Sequence, residues 1–194
     1  GGLLPKLDAA IFADTQWEPA GVYDWLARVL EPAAARAGIP IYRVTKGNLR
    51  DDALRSAMRA ADYRQIEGGR WASVPFYTSG GAGREGQIKR QCTKEYKIEP
   101  IRRKIRELAE GRSVRQWFGI SGDETRRMRM SNVRYIEHWY PLVFAFDRPW
   151  HRRDCIGWLA QQGFGAAPRS ACLGCPYHSD TEWRAIRADP LAWA

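Results

Sequence analysis

Asp8-Ala-Ala-Ile-Phe-Ala-Asp14 and, after a helical stretch, Ile41-Tyr-Arg-Val-Thr45 are the segments on which the fold class turns. The first is a short apolar run that stops at a polar Asp-Thr pair, the pattern of a strand buried on both faces. Between the two, Thr15 is a candidate cap and Pro19 suits a first helical turn. Val22, Leu26, Val29, Leu30 and Ala33 then recur at helical spacing until Gly38 and Pro40 end the run. Strand, helix and strand within so short a span make a βαβ unit, whose right-handed crossover implies a parallel sheet. The fold class is therefore α/β.

Further along, a short helix is expected near residues 51–60, followed by a glycine-rich stretch, Thr78-Ser-Gly-Gly-Ala-Gly-Arg-Glu-Gly86. This stretch lacks the G-K-[ST] ending of a P-loop and reads as a surface loop. Ile98, Ile101, Ile105 and Leu108 fall at helical spacing, with Pro100 at the start and Gly111 at the end; Arg102, Arg103, Lys104 and Arg106 make the polar face basic. Val114 to Ile120 reads as a strand running into Ser121-Gly-Asp-Glu124, an S-x-x-E capping box expected to open a helix. In an open parallel sheet, ligands collect beyond the carboxyl ends of the strands, where helix N-termini attract anions. Arg126 and Arg127 would reinforce such a site. Tyr140 to Phe144 is expected to be extended, 152–162 a helix, and Ser179-Asp-Thr-Glu182 a second capping box. With no repeat and no linker, residues 1–194 read as one domain, in which 150–194 supply a cysteine-bearing loop.

The chain has 194 residues, of which 44% are hydrophobic and 27% charged, which excludes a disordered or low-complexity chain. Its net charge of +9 is concentrated: residues 84–134 hold 15 basic and 7 acidic groups, and the flanking segments are nearly balanced. That segment is a candidate polyanion track. No apolar run approaches the ~20 residues of a membrane span and no signal peptide opens the sequence, so a cytoplasmic protein is expected, without a membrane partner.

Four cysteines are too few for a disulfide scaffold, and two of them form Cys172-Leu-Gly-Cys175. In C-x-x-C a tight turn with a small residue, here Gly174, lets two sulfurs face one metal. Cys92, just ahead of the basic helix, is the candidate third thiolate. Cys155, beside Ile156, Trp158 and Leu159, reads as a packing residue, the role usual for a buried thiol. With His178 as fourth ligand, three thiolates would make a closed zinc site; without a fourth protein ligand they would hold a [4Fe–4S] cluster with one open iron. Spacing leaves both open. A thioredoxin-like dithiol is weaker, since the motif should then open a helix after a strand.

Five segments occur in a telling order: Phe12-Ala-Asp-Thr-Gln-Trp-Glu-Pro-Ala-Gly-Val-Tyr23, Cys92-Thr-Lys-Glu-Tyr-Lys-Ile-Glu-Pro-Ile101, Phe118-Gly-Ile-Ser-Gly-Asp-Glu-Thr-Arg-Arg127, Tyr140-Pro-Leu142 with Trp150-His-Arg-Arg-Asp154, and Cys172 to Cys175. Together they resemble the phosphoadenosine phosphosulfate reductase branch of the PP-loop, or adenine nucleotide alpha hydrolase-like, superfamily. In that family the corresponding pieces are D-T-G-x-x-x-P-E-T-Y, C-C-x-x-x-K-x-x-P-L, T-G-x-R-x-x-[QE]-S-x-x-R, N-P-L with W-[ST]-x-x-D-V, and a second cysteine pair. Two family features are unmatched. The S-G-G-x-D-S loop that follows the first strand is missing from a sequence that opens, at Gly1-Gly2-Leu3, one βα unit later. The E-C-G-[IL]-H tail is also unmatched.

The resemblance implies a Rossmann-like three-layer α/β/α fold without its first βα unit. It implies ATP or adenylyl sulfate as the nucleotide, lined by Asp14, Thr15, Lys94, Lys97, Arg126 and Arg127. A [4Fe–4S] cluster would be held by Cys92, Cys172 and Cys175. The expected activity is ATP-linked sulfur transfer to a nucleic acid or nucleotide, with tRNA or DNA along residues 84–134. The alternatives are a sulfonucleotide reductase acting on adenylyl sulfates, and a non-catalytic nucleic-acid-binding module stapled by zinc.

Overall fold

A computed structural model describes residues 4–61, 74–80, 84–87 and 90–193. Strand β1 (Ala10–Asp14) pairs in parallel with β2 (Ile41–Thr45), Ala10 opposite Ile41 and Asp14 opposite Thr45. The βαβ unit is thus present as expected. Its connection is one continuous helical path: α1 (Ala20–Trp25), a π-helical segment at Leu26–Leu30, and α2 (Glu31–Arg36). Pro19, not Thr15, is the N-cap, and the path ends at Gly38 with φ +63°.

Proline explains the π segment. Pro32 has no N–H to continue the ladder and its ring crowds the preceding turn, so the helix widens ahead of it. The last amide before the proline, Glu31 N–H, reaches back five residues to the Leu26 carbonyl. The arrangement recurs downstream, where a π segment at Thr93–Ile98 precedes α4 (Glu99–Ala109), Pro100 follows Glu99, and Glu99 N–H bonds the Lys94 carbonyl. α4 ends in left-handed residues, Glu110 at φ +48° and Gly111 at φ +83°.

A second parallel pair joins β5 (Val114–Trp117) to β6 (Ile136–Trp139). Between β2 and α4 lie α3 (Leu49–Ala61) and an antiparallel hairpin, β3 (Tyr77–Gly80) with β4 (Arg84–Gln87). That hairpin corrects the expected glycine-rich loop: Thr78 pairs with Gly86 and Gly80 with Arg84 in a regular ladder, leaving only the tip at 81–83, outside the described residues. The C-terminal part carries α5 (Pro141–Phe144), α6 (Arg152–Gln161), α7 (Asp180–Ala188) and α8 (Pro190–Trp193). α5 corrects the extended segment expected there, because Pro141 sits at the first helical position, where its missing N–H costs nothing.

The architecture is mixed α/β with short parallel pairs. A strand buried on both faces was expected at β1, yet only Ala13 of it is buried, and β2 and β5 have no buried residue. Ala10 and Ile11 of β1 and all of β5 open into a cavity of about 1130 Å³. One tight core lies beyond the C-terminal end of β1, where Leu49, Val74, Tyr96 and Cys172 are buried together and Trp17 and Cys92 pack against them. Among the described residues no helix is long and apolar enough to cross a membrane.

Candidate functional site

The chain emerging from β1 turns sharply. Gln16 takes a left-handed φ of +56°, and its N–H donates to Asp14 Oδ1 at 2.7 Å. The Tyr23 hydroxyl donates to the same oxygen at 2.8 Å. Burial, and then this bond to Asp14, push the Tyr23 hydroxyl up to about 12. Asp14 is thereby committed to holding the turn. Thr15, fully buried, follows, and its carbonyl accepts from Leu49 N–H at 3.0 Å, which ties the end of β1 to the start of α3.

Around Thr15 the structure gathers a buried polar cluster. Its Oγ1 lies 3.2 Å from Cys172 Sγ and donates to Glu18 Oε1 at 3.3 Å. The Cys172 thiol donates to the same carboxylate oxygen at 3.5 Å, Lys97 Nζ at 3.2 Å, and Ser170 Oγ reaches Glu18 Oε2 at 3.2 Å. A carboxylate with no exposed side-chain surface is tolerable only when paired and hydrogen-bonded, and Glu18 is both. Burial, and then the Glu18 charge, push the Cys172 thiol up to about 11, so this sulfur is protonated as the chain stands. The π segment presents Lys97 to this cluster, which places a sequence-singled residue at the centre. Glu18 and Ser170 were not singled out. The only sequence signal for Glu18 was an acid held between Trp17 and Pro19.

The C-x-x-C loop is fixed to the same place. Leu173 N–H donates to the Trp17 carbonyl at 2.8 Å, and Cys175 N–H closes a turn onto the Cys172 carbonyl at 2.9 Å. Gly174 lies under the Trp17 ring so closely that a Cβ would stand 2.0 Å from Cη2. His178 is nearly enclosed, with 5% of its side chain exposed. Its Nε2–H donates to the Cys172 carbonyl at 3.0 Å, while Nδ1 is buried without a hydrogen-bond partner among the described residues. Cys155 lies on α6, half-buried, where burial raises its thiol.

The loop after β5 departs from expectation. Gly122–Arg127 is a 3-10 turn, and the expected capping box at Ser121 does not form, for Ser121 makes no side-chain cap bond. Its hydroxyl turns instead to Asp123 Oδ2 at 3.4 Å, and Glu124 leaves helical geometry at φ −120°. Asp123 is drawn away by α6: it accepts from Arg152 N–H at 2.6 Å and from His151 Nδ1 at 2.9 Å, and these bonds, the backbone one first, hold its carboxyl below the usual range. Arg127 pairs with Glu124, whereas Arg126 is exposed.

The structure therefore brings together Thr15, Lys97, Cys92 and Cys172, with Asp14 adjacent and Cys175 one turn along. No hydrogen bond or ion pair among the described residues joins Lys94, Arg126 or Arg127 to that cluster. Three thiols suit a thiophilic metal, and two of them share one core, although among the described residues no three His, Cys, Asp or Glu groups stand together as a metal site. Compared with protein-family models, curated proteins and solved structures, the chain matches none of them.

Proposed function

We propose that the chain is a PP-loop-type enzyme of Rossmann-like three-layer build, acting in ATP-linked sulfur transfer to a nucleic acid or nucleotide in the cytoplasm. One observation carries this reading: Cys92 and Cys172, eighty positions apart in sequence, meet in one core at the carboxyl end of β1, beside Thr15. This is the edge at which ligands of parallel sheets bind. Cys92, Cys172 and Cys175 would hold a [4Fe–4S] cluster, whose open iron would offer a binding place for the sulfur to be transferred. Thr15 and Lys97 hold Glu18 beside this core, while Lys94, Arg126 and Arg127 would supply cations for the nucleotide's phosphate or sulfate. The basic segment 84–134 supplies the polyanion track, on which Arg103 and Arg106 lie exposed one turn apart on α4.

Anaerobic purification followed by iron and sulfide analysis and a visible spectrum tests the reading. A brown protein is expected, with the colour lost in Cys92→Ala and kept in Cys155→Ala; equal loss in both variants refutes the three-ligand assignment. ATP–pyrophosphate exchange is expected, and turnover of adenylyl sulfate with thioredoxin would favour the reductase instead. One observation favours a second reading. The buried Nδ1 of His178 makes no hydrogen bond among the described residues and lies 3.8 Å from Glu182 Oε1, while Nε2–H bonds the Cys172 carbonyl; it is the kind of atom that completes a closed Cys3His zinc site. A colourless protein with one zinc per chain would establish that reading and remove the enzyme.

A further inference from the structure

Two loops meet past the carboxyl ends of β5 and β6, the edge at which parallel sheets take ligands. Gly122 N–H bonds the Trp150 carbonyl at 2.7 Å and Trp150 N–H the Leu142 carbonyl at 2.7 Å, which holds the 3-10 turn Gly122–Arg127 against the start of α6. Across this seam His151 Nδ1 lies 2.9 Å from Asp123 Oδ1, and Arg152 N–H donates to Asp123 Oδ2 at 2.6 Å. The Arg152 bond first, and then the His151 bond, keep the Asp123 carboxyl below its usual range. An ionised carboxylate only accepts, so Nδ1 carries the ring proton and Nε2 keeps its lone pair. Nε2 makes no hydrogen bond among the described residues, and the side chain is half exposed.

The ring is also held in place from below. A Cβ on Gly122 would stand 3.1 Å from His151 Cε1 and 3.3 Å from Nδ1, so only a glycine leaves the imidazole its position. Neither of the other two histidines is arranged in this way. His138 Nδ1 meets a neutral carbonyl, that of Arg129 at 2.9 Å, and its half-buried ring packs edge-on against Phe118. His178 is enclosed, with Nε2 committed to the Cys172 carbonyl. Cations stand in the same two turns. Arg127 and Arg148 are paired with Glu124 and Asp154, whereas Arg126, Arg152 and Arg153 are exposed and form no ion pair among the described residues.

We propose that His151 is a phosphoryl-accepting nucleophile with Asp123 as its positioning residue, and that the donor is a small activated phosphate of the acyl phosphate class. The Nε2 lone pair attacks phosphorus, and the P–N bond forms as the donor's P–O bond breaks, the carboxylate leaving with that electron pair. No proton moves in this step. Nδ1–H stays on the ring, which becomes cationic, and the Asp123 carboxylate balances the new charge. The guanidinium groups of Arg126, Arg152 and Arg153 suit the phosphoryl oxygens. The broken cap pattern at Ser121 agrees with a reactive centre here. Its hydroxyl turns to Asp123 Oδ2 at 3.4 Å, so a local sequence rule yields to fixing the carboxylate. This centre goes beyond sulfur transfer and uses none of the cysteines.

The test treats the protein with acetyl phosphate and, separately, with phosphoramidate, and locates the label by phosphorus NMR and peptide mass spectrometry. His151 is expected to be labelled on Nε2 ahead of His138 and His178. Asp123→Asn is the sharper arm. Its single carbonyl oxygen can serve Arg152 N–H or His151 Nδ1–H but not both. With the backbone amide taking that oxygen, the side-chain NH2 faces Nδ1, the ring proton moves to Nε2, and the nucleophile is capped. Labelling of His151 should then fall by more than about 10-fold, the mark of a lost tautomer, while His138 is unaffected. Long-range proton–nitrogen NMR of the wild type needs no variant and should show the His151 proton on Nδ1. The proposal is overturned by a wild-type proton on Nε2, by no label on His151, by His138 labelled as fast, or by an Asp123→Asn protein labelled like the wild type. A colourless protein that still labels at His151 would sink sulfur transfer and leave this centre standing.

Discussion

Trp17 and Gly174 make the most exacting contact at the site. An alanine at 174 would place its Cβ 2.0 Å from Cη2 and 2.4 Å from Cζ2 of the indole, and a ring wedged against the core cannot give way as a flexible side chain would. Gly174→Ala is expected to lower stability by about 1–3 kcal/mol, the usual cost of overpacking, and to impair metal loading more than Cys155→Ala does. Thermal unfolding and metal content read the two effects separately. Glu18→Gln keeps the shape of the side chain but removes the charge that Lys97, Cys172, Thr15 and Ser170 all contact. A loss of about 1–3 kcal/mol in chemical denaturation is expected, as for hydrogen bonds to a charged group, and no loss would mean that the cluster does not help hold the fold. Of this cluster, Thr15, Lys97, Cys92 and Cys172 were legible in the sequence because each belongs to a patterned segment. Glu18 was not, because its importance comes from partners lying 79 and 154 positions away.

Two stretches with the same S-x-x-E pattern behave differently as elements. At Ser179 the capping box forms in both directions, the side chain accepting from Glu182 N–H while the Glu182 carboxylate accepts from Ser179 N–H at 2.8 Å, with Arg169 also paired to Glu182. At Ser121 it fails because the hydroxyl turns to Asp123 Oδ2, Glu124 N–H bonds the Ser121 carbonyl, and the Glu124 carboxylate pairs with Arg127. Local pattern predicts a cap only where no other partner competes for the groups of the first turn. The bonds at Glu182, the one from Ser179 N–H first, hold its carboxyl down from its ordinary 4.5 to about 2. A carboxyl lowered in the folded state contributes stability above its unfolded value and loses it as the pH falls toward its folded value. The stability gap between wild type and Glu182→Gln, present at neutral pH, is therefore expected to shrink as pH falls from about 4.5 to about 2; a gap constant with pH would show that the carboxylate contributes nothing. The π segments were illegible for a related reason. Glu31-Pro32 and Glu99-Pro100 look like ordinary helix starts, and only the continuous helical path on both sides forces the wide turn. Pro100→Ala would let the turn relax to α, rotating Lys97 away from Glu18, so a double-mutant cycle between Lys97 and Glu18 should lose its coupling in that background. β6 is not legible in the sequence, because Ile136-Glu137-His138-Trp139 is only four residues long and runs almost directly into a proline-led helix.

Across the whole molecule, the excess charge of residues 84–134 is partly spent internally: Lys97 on Glu18, Lys104 on Glu107, Arg115 on Glu137 and Arg127 on Glu124. Arg103 and Arg106 are the exposed pair left on α4. If this face follows a nucleic-acid backbone, Arg103→Glu with Arg106→Glu should weaken binding uniformly across sequences and flatten the salt dependence by about 1–2 in log–log slope, as measured by fluorescence anisotropy. An unchanged slope would place the nucleic acid elsewhere. The tie between Thr15 and Cys172 has a consequence of another kind. It joins residues 157 positions apart, so it closes only when nearly the whole described chain has collapsed. Contacts of such long range form late, because loop closure must precede the interactions that reward it. During synthesis Cys92 therefore leaves the ribosome long before Cys172 arrives to enclose it. In that interval its thiol stands without the shelter of the finished core, and recovery of active protein should depend on reducing conditions while the chain folds more than on those in which the folded protein is stored.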